Sequence, residues 1–420
     1  MTARTLLGCW PVLGAVAVGS WSTGCERRLF DVDLSIVEAT AIGGLVAGGA
    51  VEIAHQTVGD VGEPNGSSDE RSFEFDADAT RVHFEVRAFN VDEDAATLVG
   101  FGRTGLFGVP EPGGVIAATV LLAPVNQVGA LTTLPPALGG DACVADDGFG
   151  HVFVAGGRTS SQGAYVLDDR FEIVGFAGGF PTGVGGVGCA ANGGVVAVTG
   201  GCTDGASSTV VLFDLEGARR VITAVGTQPC GAVAAPRRDG LVWFMDGDNR
   251  LDLLSSSGGV TTPVVAARAG SRRGFEVTAA DAAVFVVDDE LAWVDTGLVP
   301  LGPAVALGRR GADVLVLDDA GTVAVVDNAT TRPLAGAATV AVAVVGDVAH
   351  FVVTDDGTFV GLSVDGTTLY VVDGSGVAGG GSRTLSTTVV GATRVSALPG
   401  GTIVIGGADV DGLQTVAFDR

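Results

Sequence analysis

Apolar and polar positions along the chain fall into one short unit that recurs toward the C-terminus. Its clearest copy is residues 151–169, HVFVAGGRTSSQGAYVLDD: a β-branched and aromatic run ends in Gly-Gly, a polar loop follows, and a second apolar run closes on Asp. That pattern predicts two strands joined as a hairpin. Later copies are VVAVTGG…VVLFD (195–214), LVWFMDG…LDLL (241–254), VFVVDD…LAWVD (284–295), DVLVLDD…VAVVD (313–327), HFVVTDD…VGLSVD (350–365) and TIVIGG…TVAFD (402–419). Anchors at 156, 200, 246, 288, 318, 355 and 406 span 250 residues in six intervals. The mean period, about 42, is that of a four-stranded propeller blade. Asp147-Gly148, Asn192-Gly193 and Asp239-Gly240 mark tight turns between the first and second strands, because these pairs accept positive φ.

The last repeat ends without room for a fourth strand, and the segment before the first repeat, NQVGALTTL (126–134), has no other partner. We expect 126–134 to complete the final blade and close the ring. Upstream the unit is absent. Strand-like runs at 30–37, 51–58, 71–75, 81–89, 96–102 and 115–122 alternate apolar with polar residues, which suggests an immunoglobulin-like sandwich. The expected architecture is all-β: residues 1–24 a signal peptide, 25–125 the sandwich and 126–420 a seven-bladed propeller, with six or eight blades left open.

Composition supports this, with 67 glycines for tight turns and an apolar content of 47%, too high for a disordered chain. A net charge of −25 and a pI of about 4.3 repel phosphate backbones and exclude nucleic acid as a partner. At the N-terminus, Arg4 precedes an apolar stretch at 6–18, too short to span a bilayer. Ser22-Thr23-Gly24-Cys25 then resembles a bacterial lipobox, with Ser where an aliphatic residue is usual. We expect cleavage after Gly24 and acylation of Cys25; an ordinary secretory signal is the alternative. Outer membrane or cell surface is the favoured location, with a secreted or periplasmic protein as the other reading.

Export makes disulfides the expected state of Cys143, Cys189, Cys202 and Cys230, whose spacings fit no zinc site. Cys202 follows the second strand of blade two and Cys230 opens blade three, so we expect a Cys202–Cys230 bridge. Cys143 and Cys189 occupy equivalent first-strand positions, and we expect the blades there to lie too far apart to join.

Gly156-Gly157 with Tyr165 and Asp168, Gly200-Gly201 with Phe213 and Asp214, and Gly406-Gly407 with Phe418 and Asp419 resemble Kelch-type propellers. The match is greatest to lipid-anchored Kelch-repeat proteins of GC-rich Gram-negative bacteria. In the middle blades Asp-Asp replaces Gly-Gly, and Trp243 and Trp293 lie on second and third strands. NHL- and quinoprotein-type propellers therefore stay open. The resemblance implies a protein-binding module on the envelope.

Catalytic patterns are missing. A copper radical oxidase needs two Tyr and two His converging with a Cys, whereas Tyr165, Tyr370, His55, His83, His151 and His350 are scattered. His151 and His350 are expected to open second strands in blades one and six. There is no Asp box, GxSxG, P-loop or HExxH. Charge placement is the remaining signal. Loops between second and third strands share one end of a propeller, where we expect Asp246, Asp248, Asp288, Asp289, Asp318, Asp319, Asp355 and Asp356 to form an acidic face. That face would suit calcium or a basic partner. Arg219-Arg220, Arg237-Arg238 and Arg309-Arg310 are expected at the other end. The sequence thus reads as a lipid-anchored, extracytoplasmic binding or scaffold protein with no catalysis and no obligate cofactor, whose partner is an envelope or extracellular protein or glycan. The alternative is a propeller-type carbohydrate hydrolase or lyase.

Overall fold

The computed structural model describes residues 28–29, 31–39, 42, 50–57, 60–61, 74–75, 81–92, 95–105, 107–108, 115–131, 143–155, 164–168, 186–200, 209–217, 219–223, 232–255, 260–263, 270–374, 382–386, 392–406 and 413–418. Cys25, Cys202 and Cys230 lie outside them. From residue 143 on, the described strands run as seven successive antiparallel meanders. Their first strands are Cys143–Asp146, Gly186–Asn192, Val233–Pro236, Arg272–Val277, Ala306–Arg310, Val348–Val353 and Arg394–Ala397.

These first strands stand next to one another in chain order, and the seventh lies against the first. Apolar clusters fill the gaps between consecutive meanders in the same cyclic order. Phe153 and Val166 of blade one pack with Val196 and Phe213 of blade two, and Trp243 of blade three with Phe275 and Phe285 of blade four. Val395 and Ile405 of blade seven meet Val360, Leu369 and Val371 of blade six. Leu398 and Val404 of blade seven then meet Val144 and Val152 of blade one, which completes the circle. Each fully buried aromatic contributes roughly 1.5–3 kcal/mol, and every inter-blade layer needs a neighbour on both sides. The fold is an all-β propeller.

The ring closes as the sequence predicts. Gly129–Leu131 pairs antiparallel with Leu413–Val416, with Gly129 opposite Thr415 and Leu131 opposite Leu413, and becomes the fourth strand of the last blade. Blades five and six meet so closely at the axis that Ala306–Arg310 and Val348–Val353 form a parallel ladder. Gly308 is required there, since a Cβ would collide with the Phe351 carbonyl oxygen. The turn glycines also conform: Gly148, Gly193 and Gly240 all have positive φ.

Blade six departs from the expected phase by one strand. Val348–Val353 is its first, innermost strand, and Phe359–Ser363 its second. Asp355 and Asp356 therefore occupy the turn between first and second strands, on the face opposite Asp288 and Asp318. His350 is on the inner strand and does not open the second. The run Thr339–Val345, which would supply a first strand in the other phase, instead carries the one-turn helix Val342–Val345. An apolar run ending in Asp-Asp describes a hairpin at either end of a blade, so the pattern survives a slip of one strand.

Upstream, Asp31–Glu38, Val115–Pro124, Ala95–Arg103, Arg81–Asp92, Ala50–Thr57 and Asp60–Val61 follow one another across a sheet, the first pair parallel. Ile42, Val86, Ala88, Val120 and Leu122 form its apolar core. Only Glu74–Phe75 of the predicted 71–75 run is described as strand, paired with Arg28–Leu29. Ala39 and Leu121 of this unit pack with Leu131, Val152 and Leu398, so it is docked on the propeller beside the closing blade.

Candidate functional site

Five of the seven inner strands place an ionisable side chain where blades converge. Glu276 of blade four is 1% exposed and accepts a hydrogen bond from Nε of Arg309 of blade five at 2.7 Å. Nη2 of Arg394, from blade seven, pairs with its other oxygen. His350 of blade six sits 3.3 Å from the same Oε1. The Val395 backbone N–H approaches Nδ1 of His350 at 3.4 Å, so Nδ1 accepts and the Nε2–H is the one that donates to Glu276. Arg309 donates from Nη2 to the Val277 carbonyl at 2.7 Å, and Arg394 from Nη1 to that of Cys189 at 3.2 Å.

The charges follow from these contacts. Burial alone would raise the Glu276 pKa, but Arg394 and Arg309 together hold it well below the ordinary carboxylate value. Burial lowers His350 to about 4 against the pull of its Glu276 bond, so it is neutral at pH 7. Asp146 of blade one, near Arg309, is raised by burial to about 6, although Arg309 and the Gly148 N–H at 2.6 Å both favour its ionised form. Next to it, Asp147 accepts from Nδ1 of His151 at 2.8 Å and from the Gly194 N–H of blade two at 2.9 Å. His151 is thus a turn-stabilising residue before the second strand, as its position in the sequence implies.

A cavity of about 490 Å³ opens at the end of the axis where the inner strands begin. Arg272, Arg273, His350 and Arg394 line it, and among the described residues no carboxylate does. Cys143 and Cys189 are also in its wall and are joined as a disulfide, with Cα atoms 5.9 Å apart. This corrects the expectation that they stay unpaired. First strands are innermost, and there neighbouring blades come closest, well within bridging distance.

The acidic face is narrower than expected. Asp246, Asp248, Asp288, Asp289, Asp318 and Asp319 lie in loops between second and third strands of blades three to five; Asp355 and Asp356 do not. Three of them hold backbone N–H groups, two within their own turns. Asp246 accepts from the N–H groups of Asp248 and Arg250, Asp318 from that of Thr322, and Asp288 from that of Ser271. Asp288 and Asp289 hold φ values of 51° and 58°. Among the described residues no group of three or more His, Cys, Asp or Glu is placed to hold a metal ion. On the other face, Arg237 and Arg220 are at the surface as predicted, but Arg309 is 3% exposed and belongs to the axial cluster.

Sequence reasoning missed Glu276, Asp146, Arg272, Arg273 and Arg394. One signal existed: each lies in or at the start of a short apolar inner-strand run, where a charge costs energy unless paired.

A closed ring of antiparallel meanders around a cavity-bearing axis defines a β-propeller. No protein-family profile matches the chain, and no curated protein matches it. Among solved structures it is similar to a streptogramin B lyase, with 10% identity over 69% of this chain and 96% of that one at a TM-score of 0.46. It is also similar to the β-propeller domain of Myceliophteria thermophila Cps50 (Swd1), with 13% identity over 69% and 99% at 0.45. A third is YCF48 bound to a D1 peptide, with 10% identity over 70% and 98% at 0.45.

Proposed function

We propose that the protein is a non-catalytic binding or scaffold propeller of the Kelch-like kind, lipid-anchored through Cys25 on the outer membrane or cell surface. Residues 25–125 form an immunoglobulin-like unit between anchor and ring, and the partner is an envelope or extracellular protein or glycan. One observation carries the reading: the axial groups best suited to chemistry hold one another. Glu276 is engaged by Arg309, Arg394 and His350, which ties blades four to seven together and leaves this carboxylate no free base role beside a nucleophile.

The second reading, a carbohydrate hydrolase or lyase, has one observation in its favour. Asp146 and Glu276 are two axial carboxylates with pKa values pushed apart, as acid–base pairs require. Against it, neither lines the cavity.

Crosslinking in the intact envelope, followed by recovery of the full-length protein, tests the choice. A discrete protein or glycan partner is expected, and Cys25→Ser should lose both the fatty-acyl label and envelope association. Equal labelling of wild type and Cys25→Ser would remove the anchor. Cleavage of envelope polysaccharide by the purified protein, abolished in Asp146→Asn, would install the second reading.

A further inference from the structure

We propose that the axial cavity is a binding site for a small oxyanion-bearing molecule, carboxylate or phosphate, held by Arg272, Arg273 and Arg394. This goes beyond the scaffold reading, since it assigns the ring a small-molecule ligand whatever partner its outer surfaces meet. The cavity, at about 490 Å³, has the size of an ordinary small-ligand pocket. Among the described residues its wall holds three guanidiniums, no carboxylate, and the hydroxyl-bearing Ser271 and Thr393. Guanidinium groups match carboxylate and phosphate through paired N–H donors.

Arg394 is the most buried of the three. Its two terminal nitrogens are held by Glu276 and the Cys189 carbonyl, while its buried Nε–H has no partner. Arg273 is fixed at the mouth by the Gly346 carbonyl at 3.2 Å and by Asp289 at 3.6 Å. Burial lowers the pKa of Arg272, with Asp246 opposing the shift, so its charge is partly stripped of water and gains from an incoming anion. His350, neutral at pH 7, adds no positive charge of its own, so the attraction rests on the three guanidiniums.

The surroundings restrict what can enter. The mouth opens on the end that carries Asp246, Asp248, Asp288, Asp289, Asp318 and Asp319. A negative rim around a positive hole repels nucleic acids and anionic bilayers, which meet the whole face at once. A small anion meets mainly the field inside the walls.

The test is calorimetric titration of the full-length protein with citrate and, separately, inorganic phosphate at constant ionic strength. Thermal melts over the same concentrations provide a second readout. The comparison proteins are Arg272→Gln and the Arg272→Gln, Arg273→Gln double variant, both at the cavity wall and outside the Glu276 cluster. Saturable one-site binding of at least one anion is expected. Loss of a charge-assisted contact should weaken it on the order of tenfold in the single variant, and further in the double. Binding of citrate alone or phosphate alone identifies the preferred oxyanion and supports the site. Salt exclusion stabilises wild type and variants alike. Melting shifts that do not saturate, or that are equal in wild type and a double variant with unchanged circular dichroism, would overturn the assignment.

Discussion

Asp246, Asp288 and Asp318 on the rim and Asp146 and Glu276 at the axis are all carboxylates on or beside strand ends of the same ring. The rim set faces water and accepts N–H groups from its own or an adjoining turn, so each holds a local backbone shape. The axial set is withdrawn from water, and Glu276 is met by side chains 33 and 118 residues away. Local capping by an exposed carboxylate is nearly indifferent to its neighbours. A buried carboxylate is tolerated only if distant blades deliver its partners, so it reports that the ring has closed. A chain rich in Asp can thus carry most of its charge with little consequence and a few charges with much.

The largest expected effect comes from breaking the axial side. Glu276→Gln leaves Arg309 and Arg394 buried without their counter-charge, and should cost roughly 3–5 kcal/mol. Urea unfolding should show a lower midpoint with an unchanged slope. A loss below about 1 kcal/mol would mean that the axis is wetter than its geometry indicates.

The second effect is one of pH. Asp146 has a folded-state pKa of about 6 against 3.8 for the free side chain, so the folded protein holds this proton longer than the unfolded chain does. The group stabilises the fold below about pH 4 and loses that contribution as pH rises toward 6. Asp146→Asn keeps an acceptor for Gly148 and never ionises. Its stability relative to wild type should therefore rise by up to about 3 kcal/mol between pH 4 and 7. His350 works in the opposite sense, losing stability as pH falls from 6.5 toward 4, but it is present in both proteins and cancels in the difference. A pH-independent difference would place Asp146 in contact with solvent.

The smallest effect belongs to the rim. Asp→Asn at 288, 289, 318 and 319 preserves an acceptor and a residue type that tolerates positive φ. Each change should stay within about 0.5 kcal/mol. The same variant decides whether the acidic face takes calcium, as the sequence led us to expect. A rise in the wild-type melting temperature at millimolar calcium, absent in the four-fold variant, would give the rim a cation-binding role, and matching responses would leave it as turn chemistry.

Much of the ring was legible in the sequence because strands and tight turns are local. Asp147-Gly148 and Asn192-Gly193 mark turns by conformational preference alone, and 126–134 was identified by the strand the last repeat lacked. The phase of blade six was not legible, since an apolar run followed by Asp-Asp fits both ends of a blade. The axial cluster was harder still. Glu276, Arg309 and Arg394 look like isolated charges in apolar runs, and only the curvature of the ring brings them together. The same curvature explains Cys143 and Cys189: 46 residues separate them in the chain, while their strands are neighbours at the narrowest radius.

The pairing of Gly129–Leu131 with Leu413–Val416 also determines how force travels through the molecule. Val115–Pro124 of the N-terminal unit runs into the closing strand through only four residues, 125–128, and the Pro124 carbonyl itself accepts the Ala417 N–H at 2.9 Å. A pull on the N-terminal unit enters the ring at its seam. There it acts along a strand and loads the three residue pairs of that ladder together instead of peeling them singly. The seam is also the last part able to form. Its two strands lie 282 residues apart, from Leu131 to Leu413, so one edge stays unpaired until the other emerges.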